Sequence, residues 1–213
     1  KIASRTDVSF RVAENRFEAI GSRDAQAELM GAINTIAGSL MKIANDLRLL
    51  SSGPRSGLGE IVLPALQPGS SIMPGKVNPV IPEMVIQAAA YLMGKNLSVS
   101  IGARHGPLEL NMMNPLIAYE TLTAISLLDR TCRAFAERCI EGIQANRERC
   151  AEWVEWSLAL VTPLAIRLGY DKAAELAHEA LKEKKTIREL VSEKGIFTEE
   201  ELEKLLDPHN MLG

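Results

Sequence analysis

The segment 22–50 places an apolar side chain at every third or fourth position. Its members are Leu29, Ile33, Ile36, Leu40, Ile43, Leu47 and Leu50. This spacing follows one face of an α-helix, and it predicts a helix with Ser22 as its N-cap and Asp24 in its first turn. At a rise of about 1.5 Å per residue the helix would be about 43 Å long, longer than most globular helices. Such a length predicts a helical bundle that extends beyond one subunit.

Two further long helices are predicted over 81–99 and 115–142, where apolar residues again recur at helical spacing. On the second of these we expect the following side chains to face inward: Ile117, Leu122, Ile125, Leu128, Cys132 and Phe135. Shorter helices are predicted over 147–160, 172–182, 186–194 and 198–206, the last with a capping box that starts at Thr198. Aromatic residues make up only 4% of the chain, which favours packed helices over a β-sandwich. We therefore predict an all-α fold: a helical-bundle domain over 1–147 and a small helical C-terminal domain over 148–213.

The charge and the cysteine content of the chain indicate which binding partners and which cellular compartment to expect. The net charge is −3 with both signs interspersed, and no basic face is extensive enough to predict nucleic acid binding. No apolar run is long enough to predict a membrane span. The odd number of cysteines, three, fits free thiols in a reducing compartment, so we expect the cytoplasm, or the mitochondrial matrix in a eukaryote. The chain begins with lysine rather than methionine, and we expect it to be part of a longer protein.

Between the first two long helices, residues 51–79 contain many glycines and prolines and show no helical periodicity. Irregular segments of this length inside compact domains are usually functional or disordered. Apolar residues such as Ile61, Leu63 and Leu66 argue against disorder, because they can pack against the helices.

Within this segment, residues 69–79 read GSSIMPGKVNP and concentrate two hydroxyls, one cation and one amide on a backbone with two glycines. If the segment is extended, Lys76 and Asn78 project to the same side, and a cation beside an amide donor suits a carboxylate. Ser70 follows Gly69 and has little steric cover. A glycine-rich surface turn with solvated hydroxyls is the alternative that composition leaves open. A phosphate-binding P-loop is excluded because Val77 follows the lysine, and the GxSxG of a nucleophile elbow is absent.

The string GSSIMPGKVNP resembles the signature of the aspartase/fumarase superfamily. The resemblance extends to SGPRSGLGEI at 52–61, HGPLELNMMNPLIAY at 105–119 and LGYDKAAELA at 168–177, and so covers essentially the whole chain. It implies a homotetramer whose central bundle collects helices from four subunits and whose active sites each collect residues from three. It also implies an N-terminal half that this chain does not contain.

The resemblance implies roles for individual residues. Ser70 matches the base that removes a proton from the carbon beside a carboxylate, and Glu83 matches an acid that pairs with a histidine of another subunit. The positions that match substrate contacts are Ser71, Lys76, Val77 and Asn78. The substrate would be a small dicarboxylate, and we predict no metal or organic cofactor, because no His, Cys and Asp cluster has ligand spacing.

Several segments distinguish members of the superfamily. NRFEA at 15–19, His105 with Gly106, and GYDK at 169–172 resemble fumarases, whereas Val80 to Glu83 resembles the aspartase VVPE. The expected activity is therefore reversible hydration of fumarate to malate by a carbon–oxygen lyase. Aspartate ammonia-lyase, a carbon–nitrogen lyase, is the alternative.

Overall fold

The computed structural model describes residues 2–211 and is helical over most of that range, which confirms the predicted all-α fold. The helices are α1 Ala3–Thr6, α2 Arg16–Gly21, α3 Asp24–Leu50, α4 Val80–Ala103, α5 Asn114–Arg138, α6 Arg147–Trp156, α7 Thr162–Leu168, α8 Tyr170–Glu183, α9 Ile187–Glu193 and α10 Glu199–Leu205. Short 3-10 turns occur at Ile140–Gly142, Leu158–Val161 and Pro208–Met211. Strands β1, Ile61–Val62, and β2, Gln144–Ala145, form a two-stranded sheet.

The chain divides into two compact units, Lys1–Gln144 and Ala145–Gly213, and the division falls inside β2. The sequence placed the domain boundary after residue 147. Within the described range, no helix combines the length and the apolar character needed to cross a membrane.

In the first unit, α4 packs against both α3 and α5. It can do so because small and apolar side chains cover more than one of its faces; Val85, Ala88, Ala89, Leu92 and Val99 are all buried. The alanines let the neighbouring helices approach closely, while Leu92 fills the space between them with Met30 and Ile117. Burying one such large side chain contributes roughly 1.5–3 kcal/mol.

The apolar stripe predicted on α3 does not lie wholly in this core. Ile33 is buried, but Leu29, Ile36 and Ile43 are 42%, 45% and 45% exposed, and the core face also uses Met30, Ala37 and Ala44. On α5, Ile117 and Phe135 are buried as predicted, whereas Leu122 and Ile125 are exposed, so their predicted inward placement is wrong. Both helices carry apolar residues on two faces, and periodicity alone does not say which face the chain itself covers.

The start of α3 also differs from prediction. Ser22 is the C-cap of α2, and its N–H donates to Glu18 O. The N-cap residue of α3 is Arg23, whose side chain makes no capping hydrogen bond. Arg23 instead donates through Nε to Asn114 Oδ1 at 2.6 Å, which connects the start of α3 to the start of α5. Asp24 lies in the first turn as predicted.

The connection between α4 and α5 is held by one buried amide. Asn111 Nδ2 donates to Gly102 O at 3.1 Å, and its Oδ1 accepts from Met113 N at 2.8 Å, so a single side chain satisfies backbone groups at both helix ends. Gly106 lies so close to α2 that an added Cβ would overlap the carbonyl oxygen of Gly21. Only glycine permits this backbone contact.

The second unit contains α6 to α10 around a core that includes Leu164, Leu190 and Leu206. The capping box predicted at Thr198 is confirmed, because its Oγ1 accepts from Glu201 N at 3.3 Å and Glu201 Oε2 accepts from Thr198 N at 3.0 Å. The sequence reading missed α7, although a threonine–proline pair opens it, a common pattern in a first helical turn.

Candidate active site

The segment 69–79 precedes α4 and is closed at its base by two hydrogen bonds. Gly69 N donates to Lys76 O at 2.7 Å, and Asn78 Nδ2 donates to Gly69 O at 3.0 Å. We call residues 69–78 the signature loop. The chain therefore folds back on itself here instead of running as an extended strand.

Two glycines make this path available to the chain. A Cβ on Gly69 would lie 2.7 Å from Lys76 O and 2.9 Å from Asn78 N, closer than real contacts allow. Gly75 has φ of +80°, a left-handed conformation that side chains disfavour, and it permits the turn in which Lys76 N donates to Met73 O at 3.2 Å.

Ser70 lies at the start of the loop with its hydroxyl oxygen facing backbone donors. Ser70 Oγ accepts from Ile72 N and from Met73 N, both at 3.1 Å. Donors aimed at an oxygen stabilise its negative form more than its neutral form. An isolated serine hydroxyl is far too weakly acidic to form an alkoxide readily, and donors of this kind lower the cost of that alkoxide.

The structure brings some of the predicted site residues together and leaves others apart. Ser70, Lys76 and Val77 line one open depression of about 490 Å³, together with Leu66 and Pro74. Ser71 is exposed and does not line this depression, and neither does Asn78, whose amide is engaged with Gly69.

Glu83 lies in the first turn of α4 and is half-buried. Its backbone N–H donates to Pro79 O at 3.1 Å, but its carboxylate makes no hydrogen bond or ion pair with any residue in the range 2–211. An acidic group in the first turn is favoured by the helix dipole. The carboxylate is thus held by its helix and open to a partner from outside this chain.

The cysteines and the other potential metal ligands are dispersed over the residues that the structure describes. Among the residues that the structure describes, no cluster of three or more His, Cys, Asp or Glu side chains could hold a metal ion. Cys132, Cys139 and Cys150 are not joined in disulfides, and burial raises the pKa of the Cys139 thiol, which keeps it protonated and unreactive.

A buried charge cluster on α4 and α5 was not foreseen from the sequence. Lys95 forms an ion pair with Glu120, donates to Thr123 Oγ1 at 2.9 Å, and lies 4.7 Å from the ring centre of Tyr91 and 5.4 Å from that of Tyr119. A usable signal was present, because Lys95 continues the spacing of the buried residues Ala88, Leu92 and Val99 on α4.

Comparison with known proteins agrees with this architecture. Residues 1–94 match the family described as Lyase, and residues 160–213 match the family described as Fumarase C C-terminus. The chain is 47% identical over 213 residues to human mitochondrial fumarate hydratase, and 47% identical over 212 residues to mitochondrial fumarate hydratase 1 of Arabidopsis thaliana. These matches cover 100% of this chain and 42% and 43% of the two relatives.

Solved structures give the same result. A class II fumarase from Schistosoma mansoni matches with a TM-score of 0.88 and 42% identity, over 98% of this chain and 45% of that one. A Brucella melitensis structure described as fumarate lyase:delta crystallin bound to cobalt matches with a TM-score of 0.94 and 47% identity, over 100% of this chain and 46% of that one. The present chain thus spans less than half the length of these proteins.

The long-helix bundle and these similarities together define an all-α fold that the chain shares with the proteins it matches. The chain belongs to the aspartase/fumarase superfamily. Within that superfamily it is similar to the class II fumarate hydratases, over their C-terminal portion.

Proposed function

We propose that the full-length protein to which this chain belongs is a carbon–oxygen lyase that reversibly hydrates fumarate to malate. The observation that carries the proposal is the pair of backbone N–H groups that donate to Ser70 Oγ inside the signature loop. Support for the substrate comes from the fumarate hydratases that the chain resembles along its whole length.

In the direction from malate, Ser70 as an alkoxide takes a proton from the carbon beside one carboxylate. The electron pair left on that carbon moves into the carboxylate, which becomes a dianion. The hydroxyl on the neighbouring carbon then receives a proton from the acid–base pair that we propose at Glu83, and it leaves as water. The N–H groups of Ile72 and Met73 lower the cost of the alkoxide, and this stabilisation is present before substrate binds.

Lys76 is the cation nearest to Ser70 along the signature loop, and both residues line the same depression. We assign it to the carboxylate on which negative charge develops, with Ser71 and Val77 as further substrate contacts. The amide of Asn78, which the sequence also predicted to contact substrate, donates to Gly69 O instead. Glu83 is assigned to an acid–base pair with a histidine of another subunit, because its carboxylate has no partner among residues 2–211.

Turnover with two substrates tests the proposal. The full-length protein is expected to convert malate to fumarate, followed by the ultraviolet absorbance of fumarate. Ammonia release from aspartate would support the second candidate, aspartate ammonia-lyase, which the aspartase-like sequence Val80 to Glu83 favours. Activity with aspartate and none with malate would overturn the assignment as a hydratase.

Exposed apolar residues on the bundle support the proposed homotetramer. Leu29, Ile36 and Ile43 are spaced by seven along α3, so they form one stripe on a face that the chain does not cover. Exposed stripes of this kind mark protein interfaces. Other copies of the chain, carrying the same stripe, are the proposed cover.

Light scattering on the full-length protein is expected to give the mass of four chains. Ile36→Glu places a charge in the stripe and should shift the mass towards smaller species, because a carboxylate cannot be buried there without a partner. Ile166→Glu makes the same change at an 86% exposed residue of α7 and should keep four chains. A monomeric wild type would contradict the tetramer. The cellular location, cytoplasm or mitochondrial matrix, stays a prediction.

A further inference from the structure

We infer that Asn78 is a positioning residue, which holds Ser70 in place by closing the signature loop through Gly69. The inference rests on the proposed function for its catalytic consequence. The structural role of Asn78 concerns hydrogen bonds within the loop and does not depend on which substrate the protein uses.

The first observation is where the amide of Asn78 goes. Asn78 Nδ2 donates to Gly69 O at 3.0 Å, and that oxygen belongs to the peptide group that continues into Ser70. The bond therefore orients the peptide plane to which the Ser70 Cα is attached. Side chain and backbone meet closely here, since a Cβ on Gly69 would lie 3.1 Å from Asn78 Cγ.

The second observation is a continuous series of hydrogen bonds from Asn78 to the Ser70 hydroxyl. Asn78 Nδ2 donates to Gly69 O, and Gly69 N donates to Lys76 O at 2.7 Å. Lys76 N in turn donates to Met73 O at 3.2 Å, and Met73 N donates to Ser70 Oγ at 3.1 Å. Each backbone segment in the series is held by the next, so a change at Asn78 is transmitted to the donors around the Ser70 oxygen.

The third observation is the burial pattern of the loop. Residues 71–77 are all exposed, whereas Gly69, Ser70 and Asn78 are half-buried. Contacts within this chain therefore fix little of the loop between its ends. The hydrogen bonds at the loop base are the main constraint that the chain itself places on the Ser70 turn.

This role predicts a kinetic result that differs from that of a substrate contact. Losing a positioning bond misplaces the base and lowers kcat, by up to about 100-fold for a displacement near 1 Å. Losing a contact to substrate that is equally strong before and during the reaction raises KM and leaves kcat unchanged.

The test compares Asn78→Ala with Gly69→Ala in the full-length protein. Gly69 has no side chain to contact a substrate, but its Cβ would force Lys76 O and Asn78 apart and open the same loop base. Both variants are expected to lower kcat by about 10- to 100-fold with KM within about threefold of wild type. Both should also speed hydrogen exchange at the amides of Ile72 and Met73, which is measurable without turnover.

Asn210→Ala is the matched control. Asn210 Nδ2 also donates to a backbone carbonyl, that of Lys204, at 3.0 Å, but it lies in the second unit. This variant should leave kcat and loop exchange unchanged. Asn78→Asp keeps the shape of the side chain and removes the donor, so its exchange at Ile72 and Met73 should match that of Asn78→Ala.

Two results would overturn the inference. One is unchanged exchange at Ile72 and Met73 in Asn78→Ala. The other is a raised KM, with weaker binding of the unreactive dicarboxylate succinate, in Asn78→Ala while Gly69→Ala behaves as wild type. Absence of turnover in the wild type with malate and with aspartate would refute the proposed function instead, and the exchange measurements would still decide the role of Asn78.

Discussion

Replacing Ser70 by alanine in the full-length protein is expected to lower kcat for malate by about 1,000-fold, within the range that a general base contributes. The variant removes the oxygen that accepts from both Ile72 N and Met73 N, so proton abstraction loses its base and the two N–H donors lose their acceptor within the loop. KM should change much less, because Lys76 remains to bind the carboxylate. Steady-state kinetics on purified protein measures both values.

Ser71→Ala is the comparison for this prediction. Ser71 carries the same hydroxyl one position later, but it is exposed and accepts no hydrogen bond from described residues. If it contacts substrate, its loss should raise KM and lower kcat by no more than about tenfold. A Ser70→Ala protein that retains a tenth of wild-type kcat would mean that another group is the base. Far-UV circular dichroism should show the same helix content in both variants.

The bundle could be predicted because its periodicity is strong, but the faces of its helices could not. Ile33 and Ile36 belong to the same apolar stripe of α3, yet one is buried against α4 and the other is exposed. Hydrophobic spacing reports that a face avoids water. It does not report whether the same chain or another chain covers that face, which is why Leu122 and Ile125 were also misplaced.

The candidate site shows a similar limit. The residue types of the signature loop predicted a carboxylate site, and two glycines indicated an unusual backbone path. The joint projection of Lys76 and Asn78 assumed an extended chain, whereas the chain turns at Gly75 and engages the Asn78 amide with Gly69. Hydrogen bonds that close a loop depend on its exact turns, so spacing along the sequence could not foresee them.

The second large effect is expected at Lys95, whose side chain is only 4% exposed and whose ion-pair partner, Glu120, has a side chain that is 16% exposed. Burial by itself lowers the pKa of Lys95, but the hydrogen bond to Glu120 and the charge of its carboxylate outweigh burial and leave the pKa raised. The cation is therefore more stable in the folded protein than in the unfolded chain. The stability that this cation contributes is fully present below the ordinary lysine pKa, about 10.4. It is lost as the pH rises through the raised pKa that Lys95 has in the folded protein.

Lys95→Met is expected to lower the free energy of unfolding by about 3 kcal/mol, because it leaves the Glu120 carboxylate without its partner in a site shielded from water. The double variant Lys95→Met, Glu120→Leu should recover most of that loss in free energy of unfolding, because two apolar side chains leave no buried charge that needs a partner. Lys42→Met breaks a pair whose side chains are 75% and 47% exposed, and it should cost no more than about 0.5 kcal/mol.

Urea unfolding of the full-length variants at one protein concentration measures these differences as shifts of the midpoint. Above pH about 10.4 the wild type should lose the stability that the Lys95 cation contributes, and Lys95→Met has no such contribution to lose. The difference in free energy of unfolding between the two proteins should therefore become smaller. A Lys95→Met protein within about 1 kcal/mol of wild type at neutral pH would show that Glu120 reaches water or another partner. A double variant no more stable than the single one would show that the lost packing around Tyr91 and Tyr119, and not the unpaired carboxylate, dominates the cost.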